Sequence, residues 1–309
     1  MAVEMSQREV RSLAKHPPPS FYFSTLLDWV ATLAVAIFVL LPIVWLTMTA
    51  FKGQRDAFTL NIFFEPTFAN FRTIFSDTYK IGGMLVDSLV VSLITIAITL
   101  PVALIAAYAF SRFRFRGSNL LLVWVLATQF LPPVIVLLPF YNLFRRPFGW
   151  LPESWLGVPF FETLARYTML DTYAALVILN LSFTLPYAIW LLKGFIDALP
   201  NELEEAARVD GSTTVGVLRY VTFPLILPGV IVSAAFAFIS TWNEFIFALV
   251  VGGQRVTLIQ VGLNQMNSAI GVIWGQMSAV GVLIMVPLIA LSFLIRRHFV
   301  NGITAGAVK

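Results

Sequence analysis

Six stretches of this chain are apolar for about the length that crosses a bilayer: 25–50, 84–110, 120–141, 174–192, 225–251 and 277–295. A transmembrane helix needs about 20 residues. Within each stretch apolar side chains occupy every helical face and not one stripe, the mark of a helix surrounded by apolar material. The pattern predicts an all-α, polytopic membrane protein with six transmembrane helices. It divides the chain into an N-terminal segment (1–23), a six-helix domain (24–297) and a C-terminal tail (298–309).

Composition changes the picture only by naming the solvent. Hydrophobic residues make up 59% of the 309 and charged residues 12%, about half the charge of a soluble domain, so lipid is the medium that accommodates them. The few charges then orient the chain. Arg112, Arg114 and Arg116 crowd the connection after the second stretch, Arg8, Arg11 and Lys15 lie before the first, and Arg296 and Arg297 end the last. Basic residues in short connections stay in the cytoplasm. An even number of spans then puts both termini inside, in the inner (cytoplasmic) membrane. The 52–83 connection also carries Lys52, Arg55, Arg72 and Lys80, but long connections of mixed charge are poor topology signals. No cleavable signal peptide is expected, because the first stretch is too long and lacks an A-x-A-like site.

Several chemistries are missing. There are no cysteines, and the two histidines, His16 and His298, lie near the chain ends, so thiolate sites and imidazole ligands inside the spans are excluded. No G-x-x-x-x-G-K-[ST] loop is present to hold a nucleotide. A net charge of +4 does not call for nucleic acid. No internal duplication of the secondary-transporter kind is evident. Six spans without one suit half of a larger assembly.

The connection 193–224 is too polar to span. Asn201 stands where a helix N-cap would, with Glu204 three residues on to close a capping box, and Glu202, Glu204 and Glu205 favour the positive end of the helix dipole. Gly211 supplies the left-handed residue that ends the helix. Ser212 is placed to cap a second short helix, to about Tyr220, before Pro224. Leu203, Ala206, Ala207 and Val209 form a small apolar face. A surface-lying amphipathic linker is the competing reading, but such linkers turn Lys and Arg toward headgroups, and this helix is acidic.

The run Glu205-Ala206-Ala207-x-x-x-Gly211, with Asp210, Phe223-Pro224-Leu225, Pro228, Trp242-Asn243-Glu244-Phe245 and the terminal Asn301-Gly302-Ile303-Thr304-Ala305-Gly306, resembles the EAA segment and flanks of ABC-importer permeases. The likeness is to the maltose-type permease of the carbohydrate-uptake group and covers the chain from about residue 25. It implies an ABC importer type I permease fold, with the EAA loop (195–223) as a coupling helix docked on a cytoplasmic ATPase. Carried over, Glu204, Glu205, Ala206, Ala207, Asp210 and Gly211 form the coupling surface. The tail residues Asn301, Gly302, Thr304 and Gly306 touch the ATPase. The implied partners are a homologous second permease subunit, two cytoplasmic ABC ATPase subunits, an extracytoplasmic solute-binding protein and membrane lipid. No enzyme activity or cofactor is expected in this chain; ATP and Mg belong to the ATPase.

Candidates along a solute pathway are Trp242, Asn243 and Glu244. An ionisable group inside a span faces a cavity or a partner, while a structural hydrogen bond to a neighbouring helix explains Glu244 equally well. Trp242 reads either as a sugar-stacking ring or as an interfacial anchor. Asp28 and Asp87 lie near span ends and read as interfacial. In the 252–276 connection the resemblance implies a loop that enters the binding protein's cleft, which points to Asn264, Asn267, Ser268 and Gly271. The longer 144–170 connection carries Trp150, Trp155, Phe160 and Phe161 and reads as a segment resting at the membrane interface. The alternatives are an ATP-independent secondary transporter or channel subunit, and an ABC permease for a polyol or glycerol phosphate.

Overall fold

The computed structural model describes residues 19–76, 78–113, 115–147, 167–268 and 271–307. Helix α1 (Pro19–Ala50) is followed by α2 (Ala69–Ile74) and α3 (Ile81–Arg112). Next come α4 (Ser118–Ala127), α5 (Pro133–Arg145) and α6 (Tyr173–Asp197). A polar hairpin contains α7 (Asn201–Val209), α8 (Thr214–Val217), a π-turn (Leu218–Thr222) and α9 (Phe223–Leu225). The chain then forms α10 (Leu227–Trp242), α11 (Ile246–Val251), α12 (Ile259–Gln265) and α13 (Trp274–Ala307). The class is all-α apart from a minimal antiparallel hairpin, β1 (Asn267–Ser268) and β2 (Gly271–Val272), in which Asn267 pairs with Val272 and Ser268 with Gly271.

Among the described residues, four helices are long and apolar enough to span singly: Asp28–Ala50, Ile81–Arg112, Tyr173–Asp197 and Trp274–Arg296. Two further candidates are bent pairs, so the total of six is reached only with broken spans. The third expected span is not one helix. It bends by 97° between Ser118–Phe130 and Pro133–Arg145, because Pro132 and Pro133 push the residues before them out of the helical region; Leu131 has ψ 122° and Pro132 ψ 133°. The fifth is corrected as well. It bends by 78° at Ile226, and α10 stops at Trp242 before α11 resumes at Ile246. At the C-terminus the backbone of α13 runs on through Ala307, so residues 298–307 continue that helix.

The frame is the α3–α6 pair, the most extensive helix contact among the described residues. Ser88, Ser92, Thr95, Thr99, Ala103 and Ala107 recur on the buried face of α3. Small side chains at helical spacing let two backbones approach closely, which is how helices associate in lipid without a hydrophobic drive. The hydroxyls of Thr99 and Thr184 hydrogen-bond across the contact at 3.0 Å. Toward the hairpin, Ala103, Ala107, Leu192, Ile196 and Ile226 close the core. Toward the opposite face, α11 and the segment around Val256 and Leu258 pack on Val91, Leu176 and Leu179. Helix α1 stands apart, its span not buried inside the chain, and it leans on α13. A hydrophobic helix in that position has lipid or another subunit as its remaining neighbours.

Candidate functional site

The acidic segment folds into the expected pair of short helices, with a different internal logic. Helix α7 begins at Asn201 behind Pro200, and no side chain caps it. The expected capping box of Asn201 and Glu204 does not form, because Glu204 turns the other way. It is the buried residue of α7, 3% exposed. Arg112 at the end of α3 donates from Nε to its Oε1 at 2.9 Å. The Tyr108 hydroxyl donates to Oε2 at 2.9 Å, and the Thr222 hydroxyl to Oε1 at 3.0 Å. Arg112 Nη2 also bonds the carbonyls of Ile196 and Leu199 at 3.0 and 3.2 Å. The carboxylate thus ties α7 to α3 and to the π-turn, and its partner Arg112 extends the tie to the end of α6. Burial raises the carboxyl's pKa, but the hydrogen bonds from Arg112, Tyr108 and Thr222 outweigh it and hold the group below its ordinary value.

With Glu204 inside, α7 is inverted relative to a surface helix. Leu203 and Val209 face outward, with Val215 and Tyr220 beyond them; Val209 is 88% exposed and Val215 73%. Glu205, Ala206 and Asp210 are exposed, and Ala207 is half-buried. Glu204 therefore faces this chain's own spans, whereas Glu205, Ala206 and Asp210 are exposed. The expected stop at Gly211 is present. Its φ is +88°, Ser212 N–H donates to the Ala207 carbonyl at 2.9 Å, and Gly211 N–H to that of Arg208 at 3.0 Å. That is a Schellman closure of the helix end. The second helix is capped by Thr213 and not by Ser212: the Thr213 hydroxyl accepts from Gly216 N–H at 3.2 Å.

The remaining candidates separate. Trp242 is 1% exposed; it stacks on Phe238, and its indole N–H donates to the Ile284 carbonyl at 3.1 Å. It is a core residue between α10 and α13 with no face left for a solute. Asn243 is exposed and donates to the Ile239 carbonyl at 2.9 Å. Glu244 caps α11: Oε1 accepts from Phe247 N–H at 2.6 Å and Oε2 from Ala248 N–H at 3.0 Å. It bonds the helix that follows it in sequence, which accounts for the break between α10 and α11. Asn264 lies in the last turn of α12 and is exposed, while Asn267, Ser268 and Gly271 form the β1–β2 hairpin. Asn301, Gly302, Thr304 and Gly306 lie on the backbone continuation of α13. Trp150, Trp155, Phe160 and Phe161 lie outside the described residues.

A second cluster escaped sequence reasoning. At the membrane face opposite the hairpin, Asp171 adopts φ 58° and its carboxylate accepts from the N–H groups of Gln254, Arg255 and Val256 at 2.9–3.1 Å. A Cβ at Gly253 would lie 2.6 Å from Asp171 Cγ, so the close approach requires glycine there. Asp87 at the start of α3 accepts from the Tyr173 hydroxyl at 2.6 Å and from Thr257 N–H at 3.1 Å. Ser88 accepts from Ile259 N–H at 2.8 Å. Helices α3 and α6, tied to the hairpin at their C-terminal ends, thus hold the loop leading to α12 and β1 at their N-terminal ends. No local sequence signal pairs Asp171 with a loop more than 80 residues away. A carboxylate just before a helix start is the one hint.

Comparison with known proteins follows the same lines. The chain is 30% identical over 287 residues to the diacetylchitobiose uptake system permease protein DasC of Streptomyces coelicolor, covering 91% of this chain and 96% of that one. It is 29% identical over 284 residues to the trehalose/maltose transport system permease protein MalG of Thermococcus litoralis, covering 91% and 95%. A chain of a bacterial ABC transporter involved in the import of the acidic polysaccharide alginate has the same fold, with TM-score 0.71 and 19% identity over 91% of this chain and 98% of that one. Residues 99–305 match the family described as binding-protein-dependent transport system inner membrane component. An apolar six-segment chain, with an inverted polar hairpin at one face and a carboxylate-held loop at the other, belongs to that family.

Proposed function

We propose that this chain is one of two permease subunits in an ABC importer for a sugar or sugar-like solute, driven by a separate ATPase through the 201–222 hairpin. The observation that carries the reading is the inversion of α7: its carboxylate Glu204 is buried and fixed to α3, while Leu203, Val209, Val215 and Tyr220 stand in solvent. Exposed aliphatic and aromatic side chains grouped on a rigid element mark a protein–protein contact. Glu205 and Asp210 flank them and add polar specificity.

The hairpin takes force from the nucleotide-binding partner, and the Glu204–Arg112 tie passes it to α3 and α6. Alternating access requires that the docked states differ in free energy, and a hairpin closed at Gly211 and anchored at Glu204 moves as one body with its spans. Arg112 sits against the hairpin and Arg116 follows closely in the chain, which supports the positive-inside reading that puts the hairpin and both termini in the cytoplasm. The solute-binding protein meets the opposite face at the β1–β2 hairpin, and ATP and Mg belong to the ATPase. The names of two relatives, one for diacetylchitobiose and one for trehalose and maltose, support a carbohydrate as cargo.

Purification of the importer in detergent tests the assignment. The ATPase is expected to co-purify with the unchanged chain and to be lost with Glu205→Arg or Val209→Asp, while membrane insertion is unchanged. Full uptake by these variants, or uptake without nucleotide, would sink the assignment.

A further inference from the structure

We infer that this subunit carries a binding subsite of its own for a neutral saccharide at the face opposite the hairpin, in the cleft where α13 begins. The inference rests on the sugar-importer reading and narrows it to uncharged sugars. The cleft measures about 550 Å³, within the roughly 300–1,000 Å³ of small-molecule sites. Its walls come from four places in the sequence: the turn after α1, α2, β2 and the first turn of α13. Gln54, Phe58, Asn70, Thr73, Trp274 and Gln276 are among the side chains that line it.

Three observations point to a saccharide. Phe58 is 67% exposed and Trp274 48% exposed, so two aromatic rings border the opening, and ring faces pack on the C–H faces of sugars. Beside them lie the amides of Gln54 and Gln276, which both donate and accept; Asn70 and Thr73 already donate within the chain, to the Ala50, Lys52 and Ala69 carbonyls, and keep only acceptor capacity for a ligand hydroxyl. The Gln276 Oε1 atom is buried and has no hydrogen-bond partner. A buried acceptor left unpaired is destabilising, and a ligand hydroxyl is a donor of the missing kind.

The charge pattern sets the class. None of the residues lining the cleft is ionisable. Lys52, on the same connection, is fully buried and already committed, its Nζ donating to the Thr59 carbonyl at 3.0 Å and lying 4.5 Å from the Trp45 ring centre. A phosphate ester, an amino acid or a uronic acid would find no charged partner among these lining residues, whereas a neutral sugar matches them. The cleft adjoins β2, so a solute leaving a binding protein docked on the β1–β2 hairpin would meet this surface beside the exit.

The complete importer in nanodiscs, without binding protein or nucleotide, is the system to test. Saturation-transfer NMR is run with maltose, trehalose, diacetylchitobiose and glycerol 3-phosphate as probes, beside the same panel on the isolated binding protein. The expected result is transfer from a disaccharide that the binding protein also retains, weakened at least tenfold by Trp274→Ala and by Gln276→Met. Trp274→Phe, which keeps a ring, should restore most of it, and the solute concentration for half-maximal uptake should rise in parallel. If the binding protein retains a disaccharide and the importer carries it, yet Trp274→Ala changes neither transfer nor half-saturation, the subsite is overturned and the sugar reading stands. Burial of Trp274 under the second permease subunit in the assembled complex would overturn the subsite in the same way. Retention and uptake of glycerol 3-phosphate alone would overturn both.

Discussion

At the residue scale the informative side chain is Glu204. A carboxylate buried with Arg112, Tyr108 and Thr222 is held in its charged form, and removing Arg112 leaves only the half-exposed Arg208, 3.7 Å away, to balance it; breaking a buried pair costs up to about 3–5 kcal/mol. Arg112→Ala is therefore expected to release the hairpin from the spans, seen as faster amide exchange across 201–222 and loss of ATP-driven uptake. Acid should act likewise. Because the folded carboxyl lies below its ordinary value of 4.5, its contribution is fully present above that pH and is lost as pH falls through the lowered value. Hairpin protection should thus persist at neutral pH and decline below about 4.5, whereas in Glu204→Gln it should be weak and flat with pH. A steep acid decline in that variant would assign the effect to another group.

At the element scale the hairpin depends on its closure. Gly211 has φ +88° and open space where a Cβ would stand, so the cost of a side chain there is conformational and not steric. A left-handed backbone costs an ordinary residue about 1–2 kcal/mol and a β-branched one more. Gly211→Val is expected to insert normally and to lose uptake, while Gly211→Asn, which tolerates that conformation, should retain most of it. Equal uptake by the two would deny the lever. In α11 the cap decides. Replacing Glu244 with Ala removes the acceptor for Phe247 and Ala248 N–H and should cost about 0.5–2 kcal/mol, the range for lost caps. Thermal unfolding of the purified complex would read this as a lowered midpoint.

At the scale of the whole molecule, α3 and α6 act as one strut with a grip at each end. Glu204 holds the hairpin, and Asp171 with Asp87 holds the 253–259 loop. Hydrogen bonds to a charged acceptor are worth about 1.5–3 kcal/mol, so Asp171→Ala should free that loop while leaving the hairpin intact. The expected readout in proteoliposomes is an unchanged basal ATPase rate with at least a fivefold loss of stimulation by the binding protein. A proportional fall in both rates would mean general damage and not a lost connection across the membrane.

The apolar runs, the arginine-rich turn and the Glu205-to-Gly211 spacing determined by themselves that the chain is helical, lodged in lipid and equipped with a polar hairpin, because length, charge and a required left-handed glycine are local properties. Only the tertiary structure decided where each polar side chain pointed. Glu204 looked like a cap and became an anchor, since Arg112 lies 92 positions away in the chain and adjacent in space. Trp242 looked like a pathway ring and is core; Asp171 looked like nothing and holds a loop. Hydrogen bonds across the packed helices are set by which faces meet. In a chain this apolar, hydrophobic periodicity no longer marks a buried face, so the pairing of faces is settled by small-residue packing and scarce polar contacts.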